Sequence, residues 1–337
     1  MARPIATIIP FAHLGGRLAT GLVEISDDPA VLDGEGRWAV VMTFEGELIC
    51  ARFQTWAEAP LPEAGHWRGP RRDDWTTSLD RDAYLAAVEA VRQHIAAGTV
   101  YQANVCRVMS APLPDSGPPD LLPLAARLAE RHHAPFAGIV QVPGVDVVTA
   151  SPELFLRRRG RELASSPIKG TGRTAADLTE KDAAENVMIV DLVRNDLSRV
   201  CEPGSIAVAG LLEVEAHPGL VHLVSTVTGR LADGAGWADV LAATFPPGSV
   251  TGAPKSSALD VIAELETAPR GPYCGAIGWA DADTGEAELA VGIRTFWVDS
   301  GRLHFGTGAG ITWGSDPQRE WDETELKAER LVGLASC

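Results

Sequence analysis

Apolar and polar positions along the chain alternate in short runs broken by glycine and proline, interrupted by a few longer stretches at helical spacing. WAVVMTF (38–44) and ELICARF (47–53) flank Glu45-Gly46 and predict a hairpin. Tyr84, Ala87, Val88, Val91 and Ile95 share one helical face and predict a helix that Asp80 caps and Gly98 ends. Further helices are expected over 121–132, over 176–200 with Pro203-Gly204 beyond it, over 254–266 with Pro254 near its first turn, and over 317–334. Strands are expected at 136–142, 145–150, 273–280, 287–298 and 302–307, the last two joined by the turn Asp299-Ser300-Gly301. Segments 55–77 and 111–120 read as loops. No fixed-period repeat and no regular β-α alternation occur, so the pattern predicts an α+β fold.

The chain has 337 residues, 45% apolar and 22% charged, which excludes a disordered polymer. Its 45 acidic and 29 basic residues leave a net charge of −16, so a nucleic-acid partner is not expected. A small anionic substrate requires a pocket that supplies its own positive charge. No apolar run approaches the ~18 residues that span a bilayer, so no membrane partner is expected. The N-terminal MARPIATIIPFAHLGG, with one arginine and an apolar stretch broken by Pro10, is weak as a secretory signal. The five cysteines are scattered without a CxxC pair, which argues against a disulfide framework or zinc site and for a reduced, cytoplasmic setting.

Several segments carry candidate chemistry. GSVTGAPKSS (248–257) looks like a phosphate loop, but Ala253-Pro254 separate Gly252 from Lys255 and Pro254 has no N–H, so nucleotide binding is not expected. GTGAG (306–310) lacks the spacing and setting of a dinucleotide fingerprint. It reads as a Gly-rich turn, or as a nest whose N–H groups at 308–311 hold a carboxylate. Asp182 and Glu185 share a face of the expected 176–200 helix, and Glu320 and Glu323 repeat that spacing near the C-terminus. Either both faces are solvated, or they meet across a cleft where the carboxylates need a hard cation such as Mg²⁺. Lys169, in SSPIKGTGRT, is a surface charge or, if desolvated, a nucleophilic amine. Glu153 ends the apolar run VDVVTASPE, where burial would raise its pKa and suit a general acid. His222, in LVHLVS on an expected strand, is a core histidine or a ligand contact.

Ten segments in order, GTVYQANVCR, SPELF, PIKGT, EKDAAENVMIVDLVRND, VHLVSTVTG, FPPGSVTGAPK, YCGAIGW, AVGIRT, GTGAGI and SDPQREWDETELKA, resemble the chorismate-utilising family. That family includes anthranilate synthase component I, aminodeoxychorismate synthase component I, isochorismate synthase and salicylate synthase. The resemblance runs from about residue 80 to 334 and implies the family's chorismate-binding fold, β-sheets packed as a sandwich with helices outside. It implies one catalytic domain over 1–337, with an abbreviated strand-and-loop region over 1–77 and a core over 78–337. Isochorismate and salicylate synthases carry lysine where this chain has Gln102, and anthranilate synthases carry alanine where it has Lys169. The pair Gln102 and Lys169 resembles the aminodeoxychorismate synthase component I branch.

The resemblance assigns roles residue by residue. Glu153 becomes the general acid and Lys169 the nucleophile at ring C2, in an amination of the transferase class that leads toward 4-aminobenzoate and folate. His222 matches the histidine near the leaving group. Mg²⁺ falls to Glu185 and Glu323 directly, with Asp182 and Glu320 acting through water. Arg294, Tyr273 and the amides of Gly308, Ala309 and Gly310 match positions that hold the enolpyruvyl carboxylate. Lys327 is a further carboxylate contact, Gln102 lines the ring site, and Thr171 and Thr251 match pocket-lining, mainly structural positions. After PIKGT the chain has Gly172-Arg173 where the family usually continues RPR, one residue shorter. The tryptophan-binding segment of longer relatives is not found, so tight tryptophan binding is not expected. No glutaminase elbow surrounds any cysteine, so ammonia is expected from a glutamine amidotransferase subunit, and a separate lyase would form 4-aminobenzoate.

Overall fold

A computed structural model describes residues 9–114, 117–172, 174–217 and 220–337. Its helices are α1 (Arg81–Ala96), α2 (Leu122–Arg131), α3 (Glu180–Ser198), α4 (Trp237–Thr244), α5 (Lys255–Leu265) and α6 (Pro317–Ala335). Asp80 caps α1 as its sequence suggests, accepting a 2.9 Å hydrogen bond from the Ala83 N–H. Helix α3 starts later than the periodicity implies. Thr179 and Asp182 form a reciprocal capping box there, after a 3₁₀ turn over Ala175–Asp177. Helix α4, in WADVLAAT, is not foreseen by the apolar spacing.

The strands form one continuous antiparallel ribbon in two halves. The first runs Gln102–Pro112, Arg302–Ile311, Thr295–Asp299, Val145–Ser151, Phe136–Val142 and Phe11–Leu14. A two-residue turn, Gly15-Gly16, leads into the second half. Both glycines have positive φ, the geometry that two-residue hairpin turns require. The second half runs Arg17–Ser26, Leu48–Glu58, Arg37–Met42, Ala276–Asp281, Glu286–Val291, Leu154–Arg159, Glu162–Ser166, Leu220–Arg230 and Ala207–His217. A short strand, Ile168–Gly172, also pairs with Leu220–Arg230.

Alternation along each strand sends neighbouring side chains to different cores. Cys106, Val108, Val140 and Val147 of the first half share the large core with Val40, Ile277, Leu289 and Leu156 of the second, so the halves pack as a sandwich. The intervening residues point the other way. Ile139, Val148, Phe296 and Phe305 pack under α2 and α6, and Ala103, Val105, Ala309 and Ile311 pack with α1 and α5. Helix α3 lies on the Leu220–Arg230 region and sends Ile189 and Val193 into the large core.

Two strand boundaries differ from the sequence pattern. The apolar run 287–298 is two strands, Glu286–Val291 and Thr295–Asp299, broken where Arg294 takes φ +53°. GTGAG is neither turn nor nest: it belongs to the strand Arg302–Ile311, with Gly308 opposite Cys106 and Gly310 opposite Asn104. Its leucine, phenylalanine, alanine and isoleucine face the helices while Gly306, Gly308 and Gly310 face inward. A Cβ on Gly306 would sit 2.1 Å from Cγ of Tyr273, and one on Gly310 would sit 2.2 Å from Nε2 of Gln102. Gly306→Ala is therefore expected to destabilise the protein by about 1–3 kcal/mol through overpacking, read as a lowered denaturant midpoint.

Candidate active site

Glu153 follows the strand Val145–Ser151, where Ser151 clamps the backbone. Ser151 Oγ accepts from the Glu153 N–H at 3.2 Å and donates to the Val291 carbonyl at 2.6 Å. The carboxyl is buried, and burial pushes its pKa up to about 7 against a hydrogen bond with Ser249, the Lys169 charge, the Ile168 backbone and the Arg294 charge. Lys169, partly buried on Ile168–Gly172, donates its Nζ to the Ser249 carbonyl at 3.3 Å. The sequence-predicted acid and amine thus converge on one residue, Ser249.

Asn104 Nδ2 donates to the same Ser249 carbonyl at 3.3 Å. Asn104 Oδ1 and both amide atoms of the fully buried Gln102 have no hydrogen-bond partner. Buried polar atoms are ordinarily paired, so this surface beside Gly310 suits a polar ligand. Gln102 thus leaves both of its amide atoms available on this surface. Asn104 sits two residues along the same strand, hence on the same face; period two could have revealed it. Ser249 was hidden inside the segment that resembles a phosphate loop. That resemblance is empty here, because Lys255 turns inward to Asp196 Oδ2 (2.6 Å) and the Thr244 carbonyl (2.8 Å).

The two acidic helices face each other. Lys181 Nζ lies 3.6 Å from Glu185 Oε1 on α3 and 3.6 Å from Glu320 Oε1 on α6. Burial raises the Glu185 carboxyl, opposed by Lys169 and Lys181. Burial also acts on Glu323, but Lys327, at 2.7 Å, together with Lys181 and Lys169, holds it below the usual carboxylate range. Lys327 also donates to the Gly308 carbonyl at 2.9 Å. Asp182 is turned toward the start of its own helix, its Oδ2 accepting from Thr179 N–H at 2.8 Å and Oγ1 at 2.7 Å. Among the described residues no three His, Cys, Asp or Glu side chains lie close enough to hold a metal as they stand. The Lys181 ammonium nonetheless occupies the space between two carboxylates as a stand-in cation, and an all-oxygen donor set suits Mg²⁺.

The remaining candidates are spread around this centre. Arg294 Nη1 lies 3.4 Å from His132 Nε2. Burial, then the Arg294 and Arg330 charges, lowers His132 to about 4, so at neutral pH the ring accepts from the guanidinium. Tyr273 is buried with its hydroxyl 3.8 Å from Cys106 Sγ. The Thr251 hydroxyl donates to the Pro247 carbonyl at 3.1 Å, a structural tie. Buried His222 lies opposite Thr171 across the ladder, and Ala309 packs outward under the helices. Arg173 lies outside the described residues.

The sandwich thus carries a buried acid, a primary amine and facing acidic helices around one candidate site. A family model described as chorismate binding enzyme matches residues 40–333, and the chain belongs to that family. It is 42% identical over 271 residues to the aminodeoxychorismate synthase of Streptomyces griseus, covering 76% of this chain and 36% of that protein. It is 40% identical over 271 residues to anthranilate synthase component 1 of Streptomyces coelicolor, covering 77% of this chain and 52% of that one. The crystal structure of anthranilate synthase component I from Streptococcus pneumoniae superposes with a TM-score of 0.81 at 23% identity, over 98% of this chain and 94% of that one. The chain spans about half the length of the curated relatives it matches.

Proposed function

We propose that the protein is an aminodeoxychorismate synthase component I, turning chorismate and ammonia into 4-amino-4-deoxychorismate in the cytoplasm, with a glutamine amidotransferase partner supplying the ammonia. The observation that carries this reading is the convergence of Lys169 and Glu153 on Ser249. The Lys169 amine, in its uncharged form, bonds to ring C2, both ring double bonds shift one position toward C4, and the C4–O bond breaks as Glu153 gives its proton to the leaving hydroxyl, releasing water. Ammonia then bonds to C4, both double bonds return to their original positions, and the C2–N bond breaks to restore Lys169. Glu153 recovers its proton as the new amine loses one.

Glu185 and Glu323 would hold Mg²⁺ directly, with Glu320 and Asp182 through water; Asp182 is the least suited, since one oxygen caps α3. When bound, the ion neutralises the ring carboxylate. Arg294 and Lys327 supply positive charge for the second carboxylate, and neutral His132 steadies the Arg294 fork.

A second reading is an anthranilate or 2-amino-2-deoxyisochorismate synthase in which Lys169 is silent and ammonia adds at C2, and the names of several relatives favour the anthranilate synthase. A non-catalytic chorismate-binding subunit would have no use for a buried acid beside an amine. Product chromatography after feeding chorismate, Mg²⁺ and ammonium separates the first two. Anthranilate fluoresces directly, whereas the expected product gives 4-aminobenzoate only after a lyase is added. Fluorescent product in the absence of lyase would overturn the reading.

A further inference from the structure

Behind Glu153 and Ser249 lies a cavity that the steps above do not use. Its free volume is about 20 Å³, room for about one water-sized molecule. Its wall includes the polar residues Glu153, Ser165, Asp196, Thr244 and Ser249 and the apolar residues Val193 and Val291. On the outer side of α3 a cleft of about 630 Å³ opens between α3 and α5. Asp196 lines both spaces. Lys255 lines the outer cleft, while its ammonium is bonded to Asp196 and to the carbonyl of Thr244, two residues of the inner wall. The Asp196–Lys255 pair, with side chains only 10% and 17% exposed, is thus a partition between cleft and cavity.

A buried ion pair is a weak source of stability compared with apolar packing, so its position between two spaces calls for another account. The acceptors that hold the Lys255 ammonium, one carboxylate oxygen and one carbonyl, are those that a nitrogen hydride would use. Neutral ammonia both donates and accepts, so it can replace these bonds one at a time, whereas a sodium or potassium ion meets the lysine charge.

We propose that the outer cleft, the Asp196–Lys255 partition and the inner cavity form the ammonia entry route, with one ammonia molecule held beside Glu153 and Ser249 before it attacks. The proposal rests on the functional reading above.

Steady-state kinetics with ammonium as nitrogen donor tests it. Val193→Ile adds one methylene to the cavity wall and is expected to raise the KM for ammonium about tenfold, the scale of a methylene in a tight pocket, while the KM for chorismate stays unchanged. Lys255→Arg, a larger cation with a rigid fork on Asp196, is expected to raise the ammonium KM in the same selective way. Thermal unfolding checks that each variant folds. If Val193→Ile does not, Val291→Ile fills the same cavity from another wall. An ammonium KM that stays near the wild-type value in the folded variants overturns the route and leaves the functional reading intact. Wild-type protein that forms no aminated product from ammonium overturns both.

Discussion

Lys169→Ala is expected to lower formation of 4-amino-4-deoxychorismate about a thousandfold or more, the scale on which a lost nucleophile is felt. The side chain does three things that alanine cannot. It acts on the Glu153 carboxyl, lowering its pKa, it ties its strand to the Ser249 carbonyl, and, in the proposed mechanism, its uncharged form offers the amine that occupies C2. With the amine gone, C2 is open to ammonia, so residual turnover should shift toward the 2-amino product. The readout is the ratio of lyase-dependent 4-aminobenzoate to directly fluorescent anthranilate, together with intact mass after a substrate quench. Wild-type protein should carry a chorismate-derived adduct, and the alanine variant should not. Unchanged 4-aminobenzoate formation in the variant would remove Lys169 from the mechanism.

Glu153→Gln is expected to reduce turnover by about 10²–10⁴-fold, the usual contribution of a general acid. The pH dependence follows from the raised pKa. Burial lifts the group from 4.5 to about 7, so the carboxyl keeps its proton through the acidic and near-neutral range and loses it as pH rises through about 7. At a fixed concentration of free ammonia, kcat/KM for chorismate should therefore fall on the alkaline side with an apparent pKa near 7, and glutamine should abolish that limb. Stability has the same sign. A raised carboxyl pKa stabilises the fold below the unfolded value of 4.5, and that contribution is lost as pH rises toward 7. The glutamine variant, which has no charge to bury, should be at least as stable as the wild type at pH 8. A variant that is both less stable and merely slower would mean that Glu153 is structural.

Much of this architecture is legible in the amino-acid pattern because apolar spacing reports burial directly. The faces of α1, α3 and α6 and the hairpin around Glu45-Gly46 all follow from it. The exceptions share a physical cause. Glycine carries no side chain, so the alternation within GTGAG is silent and the segment passes for a turn, although its odd positions pack outward and its even ones inward. The break at Arg294 is equally silent, since a positive φ in an apolar run leaves the periodicity untouched. T-x-x-D at Thr179 is a readable start signal that places α3 four residues later than its apolar spacing does. At the site, spacing shows that each acidic pair shares a face, but only the fold shows Lys181 between Glu185 and Glu320. Ser249, which both the acid and the amine contact, has nothing in its neighbourhood of prolines and glycines to mark it.

The order of the strands bears on how the chain is made. Gln102–Pro112 takes Arg302–Ile311 as its neighbour, and Arg37–Met42 takes Ala276–Asp281. Neither half of the ribbon can therefore close until the late strands, Ala276–Asp281 and Arg302–Ile311, have left the ribosome. Until then Val40, Val41 and Val108 wait without their partners, a long exposure for apolar strand edges. Yield in a heterologous host should accordingly depend more on chaperone capacity and translation speed than on the thermodynamic stability of the finished molecule.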